Sequence, residues 1–182
     1  MSVVTKDIIE ACGKNDRTAQ KFIYVNFFNR MFAVCRRYVK NDEDTVEVLN
    51  DGFISLFQNI NQFKGEGNFE NWIKRIIINK ALDHLRANKK YKETLQYVEE
   101  YKDNPAFVDA DIIDSSNIDE LYSSIQALPV TYQMVFNLYA IDGYSHKEIA
   151  EKLKISEGTS RWYLSESRKM LKEKLTISIL QP

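Results

Sequence analysis

The chain has 182 residues, of which 44% are hydrophobic, and a formal net charge of −1; this composition supports packed cores and excludes a disordered or fibrous polypeptide. Its two cysteines, Cys12 and Cys35, lie in apolar-periodic stretches and offer neither a disulfide framework nor paired metal-ligand spacing, so both are predicted to be buried thiols. No apolar run reaches the ~20 residues of a membrane span and no signal peptide is recognisable, which predicts a cytoplasmic protein.

The net charge near zero hides an uneven distribution along the chain. Residues 1–92 carry 16 Lys and Arg against 11 Asp and Glu, and residues 121–182 carry 8 against 6. Residues 93–120 carry 9 acidic groups and a single base, Lys102. The two ends are therefore basic enough to bind nucleic acid, although the whole chain is not.

Helical periodicity begins near the N-terminus. A short helix is predicted around Lys6 to Cys12, and a longer one follows Asn15 and Asp16, the candidate caps. The apolar positions of the longer helix recur every three or four residues: Ala19, Phe22, Ile23, Phe27, Met31, Val34, Cys35 and Tyr38.

A third helix is predicted from about Asp42, with an apolar stripe on one side and a polar face on the other. The polar face carries Glu47, Asn50 and Asp51. The stripe consists of Val46, Leu49, Phe53, Phe57 and Ile60.

Two glycines in the segment FKGEGNF interrupt this periodicity, and Asn68 is expected to cap a fourth helix from about Phe69 to Asn88. Its predicted buried side is formed by Phe69, Trp72, Ile73, Ile76 and Ile77. Its predicted polar side is formed by Lys74, Arg75, Asn79, Lys80, Asp83 and Arg86.

Residues 93–117 lack a sustained helical stripe and are predicted to be an acidic linker between two domains. After the linker, a helix from Ile118 to Leu128 is expected to stop at Pro129, which suits the first turn of the next helix. The core positions of that next helix are Val135, Phe136, Leu138 and Tyr139.

The last part of the chain has the pattern of a helix-turn-helix. Ser145 and Glu148 have capping-box spacing and predict a helix whose buried face is Ile149, Ala150 and Leu153. Lys154 and Ile155 form the turn, and Ser156 caps the final helix, which runs through Arg161, Leu164, Arg168, Leu171 and Leu175.

A helix-turn-helix places the N-terminal residues of its second helix in the major groove of DNA. Gly158 and Thr159 allow close approach to phosphate, and Arg161, Trp162 and Ser165 lie where base edges are within reach. Arg168 and Lys169 are expected to contact phosphate. The alternative is a plain helical hairpin with a solvated charged face.

The glycine segment and the fourth helix combine aromatic, amide and basic side chains, a set that suits single-stranded nucleic acid. The candidates for such contacts are Phe63, Lys64, Asn68, Asn79 and Lys80. Trp72, Ile73, Ile76 and Ile77 are expected to be core residues instead.

Both halves of the chain resemble the extracytoplasmic-function (ECF) group of bacterial RNA polymerase sigma factors. The segment VEVLNDGFISLFQNINQFKGEGNFENWIKRIIINKALDHLR resembles region two of that group, and LPVTYQMVFNLYAIDGYSHKEIAEKLKISEGTSRWYLSESRKML resembles region four. The resemblance implies an all-α protein with a region-two domain at 1–92, an acidic linker at 93–117 and a region-four domain at 118–182. It also implies a non-catalytic transcription initiation factor without a cofactor.

The resemblance further implies roles for particular residues. Glu47, Asn50 and Asp51 match the surface that docks on the clamp helices of the largest polymerase subunit, and region four would meet the flap of the second largest. Phe63–Phe69 matches the loop that captures a flipped base of the −10 element, and Asn79 helps to form that pocket. The strand-binding helix would use Lys74, Arg75, Lys80 and Arg86, and the −35 element would be read by Arg161, Trp162 and Ser165.

Family members often carry a basic residue where this chain has Glu166, and a polar or basic one where it has Tyr163, so the −35 sequence that it reads is expected to differ. The resemblance also implies an anti-sigma partner, often membrane-bound. The acidic linker would thread the RNA channel of the polymerase or act only as a flexible, solubilising connection.

Two other classes of protein compete with this interpretation. A stand-alone helix-turn-helix regulator would bind duplex DNA as a dimer, at two half-sites about one helical turn apart. An enzyme would need a site that the sequence does not offer, because His84 and His146 lie outside any metal or triad pattern and are expected at the surface. Gly65-Glu66-Gly67 also lacks the phosphate-loop pattern.

Overall fold

The computed structural model describes residues 4–87 and 118–180, and all regular structure in these ranges is helical. The predicted linker, 93–117, lies outside the described residues, as does the end of the basic run after residue 87. The chain divides into two compact units, Met1–Leu85 and Arg86–Pro182. The all-α prediction is confirmed, and each unit is described by itself.

The first unit is a bundle of four α-helices. A single 3₁₀ turn, Ile60–Gln62, extends the third helix towards the glycine segment. The α-helices are α1 (Lys6–Gly13), α2 (Arg17–Arg36), α3 (Asp42–Asn59) and α4 (Phe69–Ala87), whose last two residues pass the boundary of the unit.

Side-chain caps fix where three of these helices begin. Asp16 Oδ1 accepts a hydrogen bond from the backbone N–H of Ala19 at 2.8 Å, so Asp16 is the cap of α2 and the neighbouring Asn15 is not. Asn41 caps α3 in the same way, at 2.7 Å from the N–H of Asp44. The predicted cap of α4 is confirmed, because Asn68 Oδ1 accepts from the N–H of Glu70 at 2.8 Å.

The core of the first unit lies between α2, α3 and α4. Its fully or nearly fully buried residues include Ile23, Met31 and Cys35 from α2, Leu49, Phe53 and Leu56 from α3, and Ile73, Ile77 and Leu82 from α4. Gly52 brings α3 close to α4, because a Cβ added there would lie 2.3 Å from Ile77 Cδ1.

One predicted core position in α3 is wrong. Val46 is 37% exposed, whereas Thr45 and Val48 are buried. The buried face of α3 is thus rotated by about one residue from the predicted stripe at its N-terminal end, with Thr45 rather than Val46 facing inward. The buried Thr45 hydroxyl donates a hydrogen bond to the backbone carbonyl of Asn41 at 2.6 Å.

The second unit contains the remaining helices of the described chain. They are α5 (Ile118–Gln126), α6 (Val130–Phe136), α7 (His146–Leu153) and α8 (Glu157–Leu180). Pro129 occupies the N-cap position of α6 rather than its first turn. The chain after α6 widens into a π-helical turn, Asn137–Ile141. The widening turns Tyr139, a predicted core residue, outward to 36% exposure.

The helix-turn-helix of the second unit has the predicted local structure. Ser145 and Glu148 form a complete capping box at the start of α7. Lys154 ends α7 in the left-handed conformation, with φ of 56°, which turns the chain sharply. Ser156 Oγ then accepts from the N–H of Thr159 at 2.9 Å and caps α8.

Both cysteines are buried, as predicted, and free. Burial raises the pKa of the Cys35 thiol to about 12. Burial, with a smaller contribution from the charge of Asp16, raises the pKa of Cys12 to about 11. No helix within the described ranges is long and apolar enough to cross a membrane.

Candidate nucleic-acid interface

The N-terminal turns of α8 present a polar surface to solvent. Gly158 and Arg161 are exposed, and Thr159 and Ser165 are half-buried. Arg161 Nη2 lies 3.0 Å from Glu157 Oε2, one turn earlier on the same helix. This ion pair fixes the guanidinium beside the first turn of the helix, where a major-groove contact would form.

Trp162 is half-buried because it packs against two tyrosines. Its ring centroid lies 5.8 Å from that of Tyr132 and 5.2 Å from that of Tyr163. Tyr163 itself has no exposed surface and meets Tyr132 edge to face at 4.8 Å. Tyr163 is therefore a core residue, and its side chain offers no surface for direct contact with DNA.

Glu166, the other residue that departs from the pattern described in the sequence analysis, is half-buried, so part of its side chain is at the surface. Farther along α8, Arg168 is half-buried and Lys169 is exposed. Arg168 and Lys169 lie a little over three turns from the start of α8, a position compatible with phosphate contact.

His146, expected as a solvated surface residue, is half-buried and engaged. Its Nδ1 lies 3.0 Å from Ser160 Oγ, and its ring stacks on Tyr139 at 4.4 Å. Burial lowers the pKa of His146, the nearby charges of Arg161 and Arg168 lower it further, and Glu157 opposes them. The neutral His146 imidazole therefore links α7 to α8 through Ser160, the residue before Arg161.

His84 is half-buried as well, and its Nε2 lies 3.8 Å from Asp44 Oδ2. The contact joins α4 to the first turn of α3. In the described chain no group of three or more His, Cys, Asp or Glu side chains is arranged to hold a metal ion.

The loop between α3 and α4 is exposed, and its ends are packed. Gly65 and Gly67 have φ of 78° and 82°, values that glycine adopts without strain. Phe63 is half-buried, with its ring 5.1 Å from Phe69 and 5.5 Å from Trp72. Trp72 and Ile76, both expected in the core, are half-buried, whereas Ile73 and Ile77 are fully buried.

Beside this loop lies an open cavity of about 1030 Å³ in the first unit. The α3–α4 loop contributes Phe63, Lys64 and Asn68 to its lining, and α2 contributes Asn26, Phe27 and Arg30. Asn79 and Lys80 are not among the lining residues. The structure thus brings three of the predicted single-strand contacts together and places the other two on the neighbouring face of α4.

That neighbouring face is polar along its length. Arg75 and Asn79 are exposed and lie four residues apart, hence on one side of the helix. Lys74, Lys80 and Arg86 are half-buried. On α3, Glu47, Asn50 and Asp51 are all exposed as predicted, and Asn50 Oδ1 accepts from the Tyr24 hydroxyl at 3.0 Å.

The sequence interpretation did not include Asn26, Arg30 or Glu70, although all three line the cavity. Arg30 Nη1 lies 2.5 Å from Glu70 Oε2. No sequence signal marks this pair, because the two residues are forty positions apart and belong to no shared motif.

A helix-turn-helix in one unit and a basic helix beside an exposed glycine loop in the other define a DNA-binding transcription factor. A family model described as "Sigma-70 region 2" matches residues 23–91, and one described as "Sigma-70, region 4" matches residues 118–171. Together the two models match well over half of the chain. The chain belongs to the sigma-70 family, within its ECF group, and is a transcription initiation factor.

Relatives of known name agree with this assignment. The chain is 25% identical over 177 residues to the "ECF RNA polymerase sigma-E factor" of Haemophilus influenzae, covering 92% of this chain and 93% of the relative. It is 23% identical over 190 residues to the sigma-E factor of Escherichia coli K12, covering 92% of each.

Two solved structures share the fold. The sigma factor RpoE, in complex with the anti-sigma factor NepR from Bartonella quintana, superposes with a TM-score of 0.55 at 16% identity, covering 86% of this chain and 96% of that one. CnrH, in complex with the cytosolic domain of CnrY, superposes with a TM-score of 0.52 at 19% identity, covering 93% and 96%.

Proposed function

We propose that this chain binds core RNA polymerase, directs it to promoters that carry particular −10 and −35 elements, and helps to melt the −10 element. Residues 1–92 would bind the −10 element and the polymerase, and residues 118–182 the −35 element and the polymerase flap. The observation that carries the proposal is the presence, in one chain, of a capped helix-turn-helix with an exposed Arg161 and of an exposed glycine loop beside a polar α4 face.

At the −35 element, the N-terminus of α8 would enter the major groove. Arg161 is exposed and matches guanine, whose O6 and N7 accept two hydrogen bonds from one guanidinium. Glu157 holds Arg161 before binding, so this ion pair must open or rearrange when a base is contacted. Gly158, Thr159, Arg168 and Lys169 would contact phosphate and set the register of the helix.

At the −10 element, the melted strand would pass along α4 and the α3–α4 loop. Lys74, Arg75, Lys80 and Arg86 would follow its phosphates, and Phe63 and Asn68 would contact a flipped base at the cavity. Aromatic and amide groups beside a cationic track are the usual components of single-strand binding. Asn79 would contact the strand from the α4 face, outside the cavity.

The polymerase itself would dock on α3. Glu47, Asn50 and Asp51 form an exposed polar face on the opposite side from the core, and the Tyr24 hydroxyl donates a hydrogen bond to its single amide, that of Asn50. A rigid acidic face of this kind suits a partner surface with arginine or lysine side chains, such as the clamp helices of the largest subunit.

We also propose that an anti-sigma factor controls the chain, since two of its structural neighbours are in complex with another protein, which in the Bartonella quintana structure is the anti-sigma factor NepR. If the anti-sigma factor is membrane-bound, inhibited copies of the chain would be held at the membrane, and released copies would act in the cytoplasm. The proposed activity is binding and strand separation, without a chemical reaction by the chain.

The test is run-off transcription by bacterial core polymerase from a randomised promoter library, with and without the chain. Transcripts that depend on the chain and share spaced −10 and −35 motifs are expected. Absence of such transcripts, together with duplex binding by the chain alone, would replace the proposal with a stand-alone regulator.

A further inference from the structure

The cavity beside the α3–α4 loop is bordered by charged groups that are mostly paired. Lys6 Nζ lies 3.8 Å from Glu10 Oε1 on α1, and Arg30 of α2 pairs with Glu70 of α4. Lys64 is exposed and has no counter-ion within the described residues. The free positive charge at the edge of the cavity is thus on the loop, where a phosphate would pass.

Arg30 is held by three contacts at once. Besides the bond to Glu70, its Nη2 donates to the backbone carbonyl of Asn26 at 3.1 Å. Its guanidinium also lies 4.6 Å from the centre of the Phe27 ring. A planar guanidinium fixed on one side by its own helix and on the other by a carboxylate is a rigid link between two elements.

The Arg30–Glu70 ion pair lies at the C-terminal end of the α3–α4 loop, because Glu70 is in the first turn of α4. The N-terminal end of the loop is fixed by the Phe63 N–H, which donates to the carbonyl of Ile60 at 3.1 Å. The C-terminal end is fixed by Asn68, which bonds the N–H of Glu70. Between the ends, a Cβ added at Gly65 or Gly67 would meet no atom within 4 Å. No neighbouring group therefore packs against these two positions of the loop.

We propose that Arg30, acting through Glu70, is a positioning residue for the −10 element: the ion pair sets the distance between α2 and the end of the loop, and so the shape of the cavity offered to a flipped base. The inference rests on the proposed function. A site held to its productive shape discriminates between ligands, whereas a loosened one accepts several. Base selectivity, rather than polymerase docking, therefore depends on this pair.

The pair is partly exposed, with side-chain exposures of 41% and 34%, and exposed ion pairs contribute little to folding. Arg30→Gln and Glu70→Gln are therefore expected to fold. The conservative test of the link is the exchanged double variant, Arg30→Glu with Glu70→Arg, which restores an ion pair of opposite polarity at the same place.

The experiment measures open-complex formation by holoenzyme on four promoters that differ only in the flipped base of the −10 element. We expect Arg30→Gln and Glu70→Gln to lower the ratio between the best and worst base about 2- to 5-fold, the size of effect expected of a partly exposed ion pair. The exchanged variant is expected to recover part of that ratio.

The matched control is Arg36→Gln, which breaks the ion pair between Arg36 Nε and Asp42 Oδ1, 3.0 Å apart and remote from the loop. It should leave base selectivity unchanged. Wild-type selectivity in Arg30→Gln, or an equal loss on all four promoters, would overturn the inference while leaving the proposed function intact. A wild-type holoenzyme that starts no transcription would overturn the proposed function itself.

Discussion

At the scale of single residues, the exposed face of α4 separates two activities that a sigma factor must combine. Asn79 is exposed on α4, whereas the proposed docking residues lie on α3. A substitution at one surface can therefore be made without touching the other. The same holds within α8, where Arg161 near the N-terminus and Lys169 two turns later are proposed to make different contacts.

Asn79→Ala is expected to slow promoter opening about fivefold, the effect of losing one hydrogen bond, without weakening the affinity for core polymerase. Stopped-flow fluorescence of a labelled promoter gives the opening rate, and native gel shift gives the affinity for polymerase. Asn29→Ala, at an exposed asparagine of α2, is the control and should change neither. An equal loss of opening and docking in Asn79→Ala would show that the residue supports the protein interface.

Arg161→Ala is expected to reduce discrimination at one position of the −35 element by about 1–3 kcal/mol if the side chain contacts a base edge. Lys169→Ala should instead weaken binding to all sequences alike and lower the salt dependence. Competition between −35 variants for holoenzyme, at two salt concentrations, distinguishes the two patterns. Promoter binding that is unchanged in Arg161→Ala would remove it from the interface.

At the scale of elements, caps and periodicity made most of the helices predictable. The capping box of α7, the cap of α8 and the cap of α4 are local signals within four residues, and all three are confirmed. Two predicted core positions were wrong. Val46 is exposed although it lies on the predicted apolar stripe of α3, and Tyr139 is exposed within the π-helical turn that follows α6.

The candidate site was predictable only where one segment supplies it. The positions of Phe63, Lys64 and Asn68 beside one another follow from a single loop. The contribution of α2 could not be predicted, because Arg30 contacts Glu70 only through the packing of two helices that are far apart in sequence. The contact between Tyr163 and Tyr132 of α6 likewise joins residues that share no sequence motif.

The contact between α7 and α8 predicts a pH dependence of stability. The pKa of His146 is lowered from its ordinary value of 6.5, so the folded state binds its proton less readily than the unfolded state does. The stabilisation is complete above about pH 6.5 and is lost as the pH falls through the lower, folded pKa. Acid should therefore weaken the second unit by protonating a ring that lies close to Arg161 and Arg168.

Urea unfolding at pH 7.5 and pH 5.5 tests this, followed by Trp162 fluorescence in a Trp72→Phe background. His146→Gln retains a hydrogen-bonding group near Ser160 but cannot titrate, so its unfolding midpoint should shift less between the two pH values than that of the parent. Equal shifts in the two proteins would assign the acid sensitivity to other groups.

At the scale of the whole molecule, the distribution of charge matters more than its sum. Each end carries a modest excess of basic groups, five at residues 1–92 and two at residues 121–182, although the net charge of the chain is −1. Strong binding then requires both ends to engage the promoter together, and the polymerase is the partner that would hold them there.

The chain alone is therefore expected to leave a duplex promoter unprotected at physiological salt, and to protect it only when core polymerase is added. Hydroxyl-radical footprinting with chain, core and both together tests this directly. A footprint from the chain alone, at two half-sites about 34–36 Å apart, would be that of a dimeric regulator.

The open space around Gly65 and Gly67 has a consequence for how such proteins diversify. Since nothing packs against the middle of the loop, its exposed residues can change without disturbing the aromatic cluster at either end. Gly65 and Gly67 must keep their left-handed backbone conformations. Lys64, before them, and Glu66, between them, are exposed, so their substitution disturbs no packed core. Under the proposed function, exchange of these exposed side chains would change the contacts made with the melted strand on an unchanged scaffold, at little cost to folding.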